Sequence, residues 1–241
     1  MKWRDHLRIA RAIARISGLP ERELVDGSIA PDRIRARYER HHGNLSAIIH
    51  QLRLARKSLL SHGARKKSTG LSKAAFHVGM ALHYIHDSCT GKGFLGLFHG
   101  SVEERISSVS LPKDAFEHGL DSFQPHPAKL KKKLGEIQYS NSPERALWNA
   151  AFFSALAVKS TVERGDMSGA KKEAELMDDK FRKWLLVVTG PNLVLLGALC
   201  ISRRLEYLVL LVLSLPLYWI PLHFQGRRNE LRDWFGLENR K

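Results

Sequence analysis

Leu71-Ser72-Lys73-Ala74-Ala75-Phe76-His77-Val78-Gly79-Met80-Ala81-Leu82-His83-Tyr84-Ile85-His86-Asp87 is the stretch whose reading decides the fold. It holds no proline and shows no period-two alternation, so it predicts a helix, and its apolar content predicts that the helix is buried. His83 precedes Asp87 by four residues, a spacing that stacks the two side chains on one helix face, one turn apart. His86 lies about 100° around the helix from Asp87. A buried carboxylate is costly unless it is paired or metal-bound, and imidazole beside carboxylate is a donor set for zinc. A second pair of the same spacing, His99 and Glu103, follows in Phe98-His99-Gly100-Ser101-Val102-Glu103.

Outward from this helix the chain keeps reading as helices. Residues 4–17 are amphipathic, with Leu7, Ile9, Ala10, Ile13, Ala14 and Ile16 largely on one side and Ser17-Gly18-Leu19-Pro20 as the stop. Asp26-Gly27-Ser28-Ile29-Ala30-Pro31 carries turn chemistry. Asn44 predicts the cap of a helix running to about Ser61, with Leu45, Ile48, Ile49, Leu52 and Leu59 inward. Arg65-Lys66-Lys67-Ser68-Thr69-Gly70 reads as a basic loop, and Gly91, Gly93 and Gly96 make another. Helical patterns follow at 99–109, 112–122, 126–138 and 142–165, and Lys131-Lys132-Lys133 reads as a solvated helix face. The expected class is all-α: a multi-helix metal-binding domain over residues 1–165, then a basic helical linker at 166–183 and a C-terminal transmembrane helical hairpin.

Trp184 to Ile201 carries no charge, and Leu205 to Phe224 carries one, Glu206. As helices, runs of this length each span about 27–30 Å, close to the hydrocarbon thickness of a bilayer. Ser202-Arg203-Arg204 joins them, and Trp184, Tyr207, Tyr218 and Trp219 lie toward the ends, where aromatic belts form. Lys171, Lys172, Lys180, Arg182 and Lys183 precede the first run; Arg227, Arg228, Arg232, Arg240 and Lys241 follow the second. The positive-inside rule then predicts two spans at 184–201 and 205–224, with both termini cytoplasmic and a basic tail at 225–241.

The net charge is +15. Residues 184–241 hold seven Lys or Arg against four Asp or Glu, net +3, which leaves +12 on the first 183 residues. That charge favours anionic partners, either membrane lipid or nucleic acid. Aromatic residues are not interleaved with the basic runs, so no stacking platform points to nucleic acid. Two cysteines, Cys89 and Cys200, make no disulfide framework. The N-terminus, Met1-Lys2-Trp3-Arg4-Asp5-His6, lacks the continuous apolar run of a signal peptide.

Several segments together resemble a known family. Leu82-His83-Tyr84-Ile85-His86-Asp87 is similar to the LHY-x-x-D helix of the zinc-dependent phospholipase C and P1/S1 nuclease superfamily. Asp5-His6-Leu7-Arg8-Ile9-Ala10-Arg11-Ala12-Ile13 resembles its first-helix segment. Gly27-Ser28-Ile29-Ala30-Pro31-Asp32, followed by Arg40-His41-His42, resembles its Pro-Asp loop and the His that comes after it. Phe98-His99 with Glu103 is similar to its His-x3-Glu pair.

The resemblance implies an all-α domain that binds zinc ions and hydrolyses phosphoesters. It implies one zinc on His83, His42 (or its neighbour His41), Asp32 and Asp87, a second on His6 and Asp87, and part of a third site on His99 and Glu103. It also implies Asp32 as the catalytic base that steers water. The family's further His after the bridging Asp has no counterpart in Ser88-Cys89-Thr90-Gly91-Lys92-Gly93; Cys89, His86 and His118 are the candidates to take its place. The expected protein is a membrane-anchored zinc-dependent phosphoester hydrolase, acting on a membrane lipid or another anionic phosphoester. Two other readings stand beside it. His86-Asp87 is the doublet of an HD-type metal phosphohydrolase, which uses His86 in place of His83. A catalytically inactive, metal-stabilised tether needs neither.

Overall fold

The computed structural model describes residues 1–33, 44–60, 67–90, 104–163, 165–202 and 205–237. Among them the chain is helical throughout, with no strand and a single isolated bridge between Thr90 and Ser140. It divides into two compact units, Met1–Gly165 and Asp166–Lys241.

In the first unit the helices are α1 (Trp3–Ser17), α2 (Glu21–Arg33), α3 (Leu45–Leu60), α4 (Lys67–Cys89), α5 (Lys113–Asp121), α6 (Pro127–Leu134) and α7 (Pro143–Val162). α4 is the central element. Ala74, Ala75, Val78, Ala81, Leu82, Tyr84, Ile85 and Cys89 are all buried, so it is enclosed nearly all round. It packs against α2 and α3, and α7 and α1 complete its surroundings. α1 ends at Gly18, whose φ of 68° is the left-handed C-cap that glycine adopts without strain. α3 starts as its cap predicts, with the Ala47 amide donating to Asn44 Oδ1 at 3.0 Å. α7 starts at a Ser142 cap, with the Arg145 amide on its hydroxyl.

Three local expectations differ. Asp26–Pro31 is helix, the last turns of α2, and Lys67–Gly70 is the first turn of α4. The physical reason at Gly27 is close helix packing. A Cβ there would lie 2.1 Å from the Phe76 carbonyl oxygen, and one on Gly79 would lie 2.2 Å from that of Leu24. Two facing glycines let the backbones of α2 and α4 touch, and the burial gained holds a turn-like composition in a helix. α6 also stops short of 138, at Leu134, where the Gly135 amide folds back on the carbonyls of the last turn.

The second unit holds α8 (Met167–Ser202), α9 (Leu205–Ser214), a 3-10 turn (Leu215–Tyr218) and α10 (Trp219–Phe235). α8 is one uninterrupted helix, so the charged 166–183 segment, whose five Lys or Arg are balanced by five Asp or Glu, and the apolar run after it form one continuous helix. The second apolar run breaks at the turn containing Pro216 and then continues as helix to Phe235. Met167–Ile201 and Val209–Phe235 are long and apolar enough to cross a membrane. Their apolar side chains face outward, with Leu186 71%, Val194 72% and Ile201 88% exposed, unlike the helices of a soluble core. Asn192 ties this unit together at mid-length: it receives Ser214 Oγ on Oδ1 at 2.5 Å and donates to the Tyr218 hydroxyl at 3.3 Å. Arg228 pairs with Asp178 nearer the charged ends.

Candidate metal centre

Four helices converge on one buried cluster. α1 brings His6 on the face it buries with Ile9, Ala10, Ile13 and Ala14. α2 brings Ser28 and Asp32, α4 brings His83, His86 and Asp87, and α7 brings Ser154. His6, His83 and His86 are fully buried, and Asp87 is 7% exposed.

Asp87 is the hub. Its Oδ2 lies 3.3 Å from His83 Nε2 and its Oδ1 lies 3.4 Å from His6 Nε2. The Met1 α-amino group donates to Oδ1 at 3.0 Å. On the other side His83 Nε2 faces Asp32 Oδ1 at 3.5 Å. The outer oxygen of Asp32 receives the Trp3 indole N–H at 2.7 Å. The rings of His6 and His83 stack with centroids 4.5 Å apart.

Each ring is aimed by the bond on its other nitrogen. His83 Nδ1 donates to the Ser28 carbonyl at 3.0 Å, which turns Nε2 toward the two carboxylates. His6 Nδ1 lies 2.9 Å from His86 Nδ1, which turns its Nε2 the same way. Metal-ligating histidines in general hold their second nitrogen in this manner.

The electrostatics follow from burial and charge. Burial works against an ionised Asp87, but hydrogen bonds from His6 and His83 and the Met1 ammonium outweigh it and hold its carboxyl well below the usual range. Burial likewise opposes charging of His83, but Asp87, then Asp32 and the Ser28 carbonyl, raise its pKa. His6 is lowered because burial outweighs Asp87. His86 is lowered well below the ordinary value by burial and by the neighbouring histidines.

His6, His83 and Asp87 can hold a metal ion, each offering one donor atom with all three within 4.8 Å of one another. The separations are compatible with a shared cation as well as with pairing. Charge-assisted N–H···O bonds run at about 2.7–2.9 Å. Two tetrahedral ligands at about 2.0–2.1 Å from zinc stand about 3.3–3.4 Å apart. The three His–Asp separations, 3.3, 3.4 and 3.5 Å, lie closer to the second figure than to the first. The two oxygens of Asp87 face different histidines, Oδ2 toward His83 and Oδ1 toward His6.

Of the residues read from the sequence, the fold brings together His6, Asp32, His83 and Asp87. His41, His42, His99 and Glu103 lie outside the described residues. Among the described residues, the nearby alternatives do not join the His6–His83–Asp87 donor group. Cys89 is buried, and burial with the charge of Asp87 raises its thiol pKa. His118 lies on α5, bonded to the carbonyl of Asp114 on the same helix. His86 turns one nitrogen to His6 and the other to Ser154 Oγ at 3.0 Å. Sequence reasoning did not find Ser28, Ser154 or the Trp3–Asp32 bond. A backbone carbonyl or a lone hydroxyl that meets a histidine across the fold leaves no local pattern. Compared with known protein families, curated proteins and solved structures, the chain matches none of them.

Proposed function

We propose that the first unit is a metal-dependent phosphoester hydrolase, with zinc as the ion its donor set suits best, and that the second unit holds it at a membrane. The observation that carries this reading is the shared use of Asp87. One buried carboxylate faces two imidazole nitrogens at 3.3 and 3.4 Å, and a second carboxylate, Asp32, faces one of the same nitrogens.

His6, His83 and Asp87 would hold the ion, with Asp32 at its open side. A bound zinc ion polarises phosphoryl oxygens and brings water within reach of ionisation near neutral pH. The chain's own residues have separate tasks. Ser28 and His86 fix the two imidazoles, so the donors are set before any ion or substrate arrives. Asp87 keeps its charge at neutral pH and balances the cation. Asp32 is the one member at the solvent edge, its side chain 32% exposed, and Trp3 anchors its outer oxygen. It is placed to accept a proton from a water that enters there. The basic charge draws anionic phosphoesters. The exposed apolar faces of α8 and α10 would place that charge against a lipid surface, with the first unit on the cytoplasmic side by the positive-inside rule.

The test uses the full chain in detergent micelles. Expected are at least one zinc per chain by elemental analysis and zinc-dependent hydrolysis of bis(p-nitrophenyl) phosphate or a short-chain phospholipid. Both are lost in His83→Ala and in Asp87→Asn. Less than one zinc per chain, or hydrolysis that survives Asp87→Asn, overturns the proposal. Zinc retained in His83→Ala but lost in His86→Ala would move the site to the HD-type arrangement.

A further inference from the structure

We infer that His86 and Ser154 form a relay that sets the tautomer of His6, and that the Ser154 hydroxyl changes from donor to acceptor when a divalent cation takes His6 Nε2. This rests on the metal-centre reading above. His86 is a positioning residue here, since it acts through His6.

The inference follows from which groups can donate. Among the described residues, the groups facing His6 Nε2 are acceptors, the Met1 carbonyl at 3.1 Å and the Asp87 carboxylate at 3.4 Å. With no cation on it, that nitrogen therefore carries the ring proton, and Nδ1 carries the lone pair. His86 Nδ1, 2.9 Å away, must then be the donor. A neutral His86 has its lone pair on Nε2, and Ser154 Oγ at 3.0 Å donates to it. The chain runs from Ser154 through His86 to His6.

A cation on His6 Nε2 reverses every link. The lone pair must now stand on Nε2, so the proton stands on Nδ1 and donates to His86 Nδ1. His86 then carries its proton on Nε2 and donates to Ser154 Oγ, which accepts. The cation displaces the His6 Nε2 proton to solvent, the His86 Nδ1 proton passes to His6 Nδ1, and Ser154 hands its proton to His86 Nε2 and regains one from solvent, so each ring holds one proton before and after and the pair's charge does not change. A hydroxyl can take both roles by rotating, and threonine shares that ability. An alanine methyl can take neither. Ser154 and His86 are both fully buried, so water is not at hand to replace the missing partner. The relay lets the site accept a cation without leaving a buried nitrogen unsatisfied.

The test is long-range 1H–15N spectroscopy of the full chain, labelled at histidine, in detergent micelles with and without zinc. Expected is an exchange in both rings: His6 from Nε2–H to Nδ1–H, and His86 from Nδ1–H to Nε2–H. Ser154→Ala should weaken zinc binding about tenfold, the lower end of what outer-shell changes cost, and Ser154→Thr should recover most of it. If the parent binds zinc and neither tautomer changes, the relay is wrong and the metal centre stands. The relay is equally wrong if Ser154→Ala binds zinc as the parent does. If the parent binds no zinc, both fall together.

Discussion

Replacing Gly79 by alanine tests whether the α2–α4 contact builds the site. An added Cβ would lie 2.2 Å from the Leu24 carbonyl oxygen, 2.8 Å from the Ser28 nitrogen and 2.9 Å from the Gly27 carbonyl carbon. All three are backbone atoms, so no side-chain rotation relieves the overlap. Moving from 2.2 Å to an ordinary 3.4 Å contact requires α2 to retreat by about 1.2 Å. The retreat pulls on the Ser28 carbonyl, which is 3.0 Å from His83 Nδ1. Overpacking of this kind costs about 1–3 kcal/mol, and the strained hydrogen bond about 0.5–1.5 kcal/mol more. Helix propensity works the other way, favouring alanine by about 0.5–1 kcal/mol. The expected net is a loss of about 2 kcal/mol in reversible unfolding of the full chain in micelles, followed by far-ultraviolet circular dichroism. Zinc affinity should fall as well, because His83 loses its aim. Gly190→Ala is the control, since a Cβ there meets nothing within 4 Å and should be neutral or stabilising. A Gly79→Ala variant that is more stable than the parent, the ordinary outcome of this change in a helix, would refute the close contact.

Zinc affinity should also depend on pH in a specific direction. His83 has a raised pKa before zinc binds, so its proton must leave when the ion arrives. Affinity is then full above that raised pKa and weakens as pH falls through it, beginning above the ordinary 6.5. Without zinc the same shift stabilises the fold below 6.5, and the gain is lost as pH rises through the folded pKa. Calorimetric titration across pH 5.5–8 measures the first effect, and an affinity flat over that range would show that His83 loses no proton. Arg56 tests the frame behind the site. It is 1% exposed and donates from Nη1 to the Thr161 carbonyl at 2.6 Å and the Glu163 carbonyl at 2.7 Å, closing the C-terminal end of α7. Arg56→Ala should cost about 1–3 kcal/mol of unfolding free energy, the cost of leaving these carbonyls without their donor, while leaving zinc stoichiometry at saturation unchanged. A loss below about 1 kcal/mol would mean that α7 ends without it.

What was legible in the sequence was what local spacing encodes. The apolar periodicity around Ile9 and Ile13, the Asn44 cap and the uninterrupted run from Leu71 to Asp87 each act within a turn or two of helix. They appear in the structure as α1, α3 and α4. The His83–Asp87 pair was legible for the same reason, and the helical angle already set His86 apart from it. Gly27 was misread because Asp-Gly-Ser is turn chemistry wherever no neighbour intervenes. Its real partner is Gly79, on another helix, and that contact outweighs the local preference.

The sequence alone determined an all-helical chain with a His–Asp pair in its central helix and two apolar runs at its end. Only the tertiary structure decided that His6, Asp32 and Asp87 meet His83 in one place, and that His86 looks back to Ser154 rather than forward to the carboxylates. The reason is physical. A helix repeats every 3.6 residues and writes that period into its sequence. The distance between two helices depends on whether their surfaces fit, and here that fit turns on two glycines far apart in the chain.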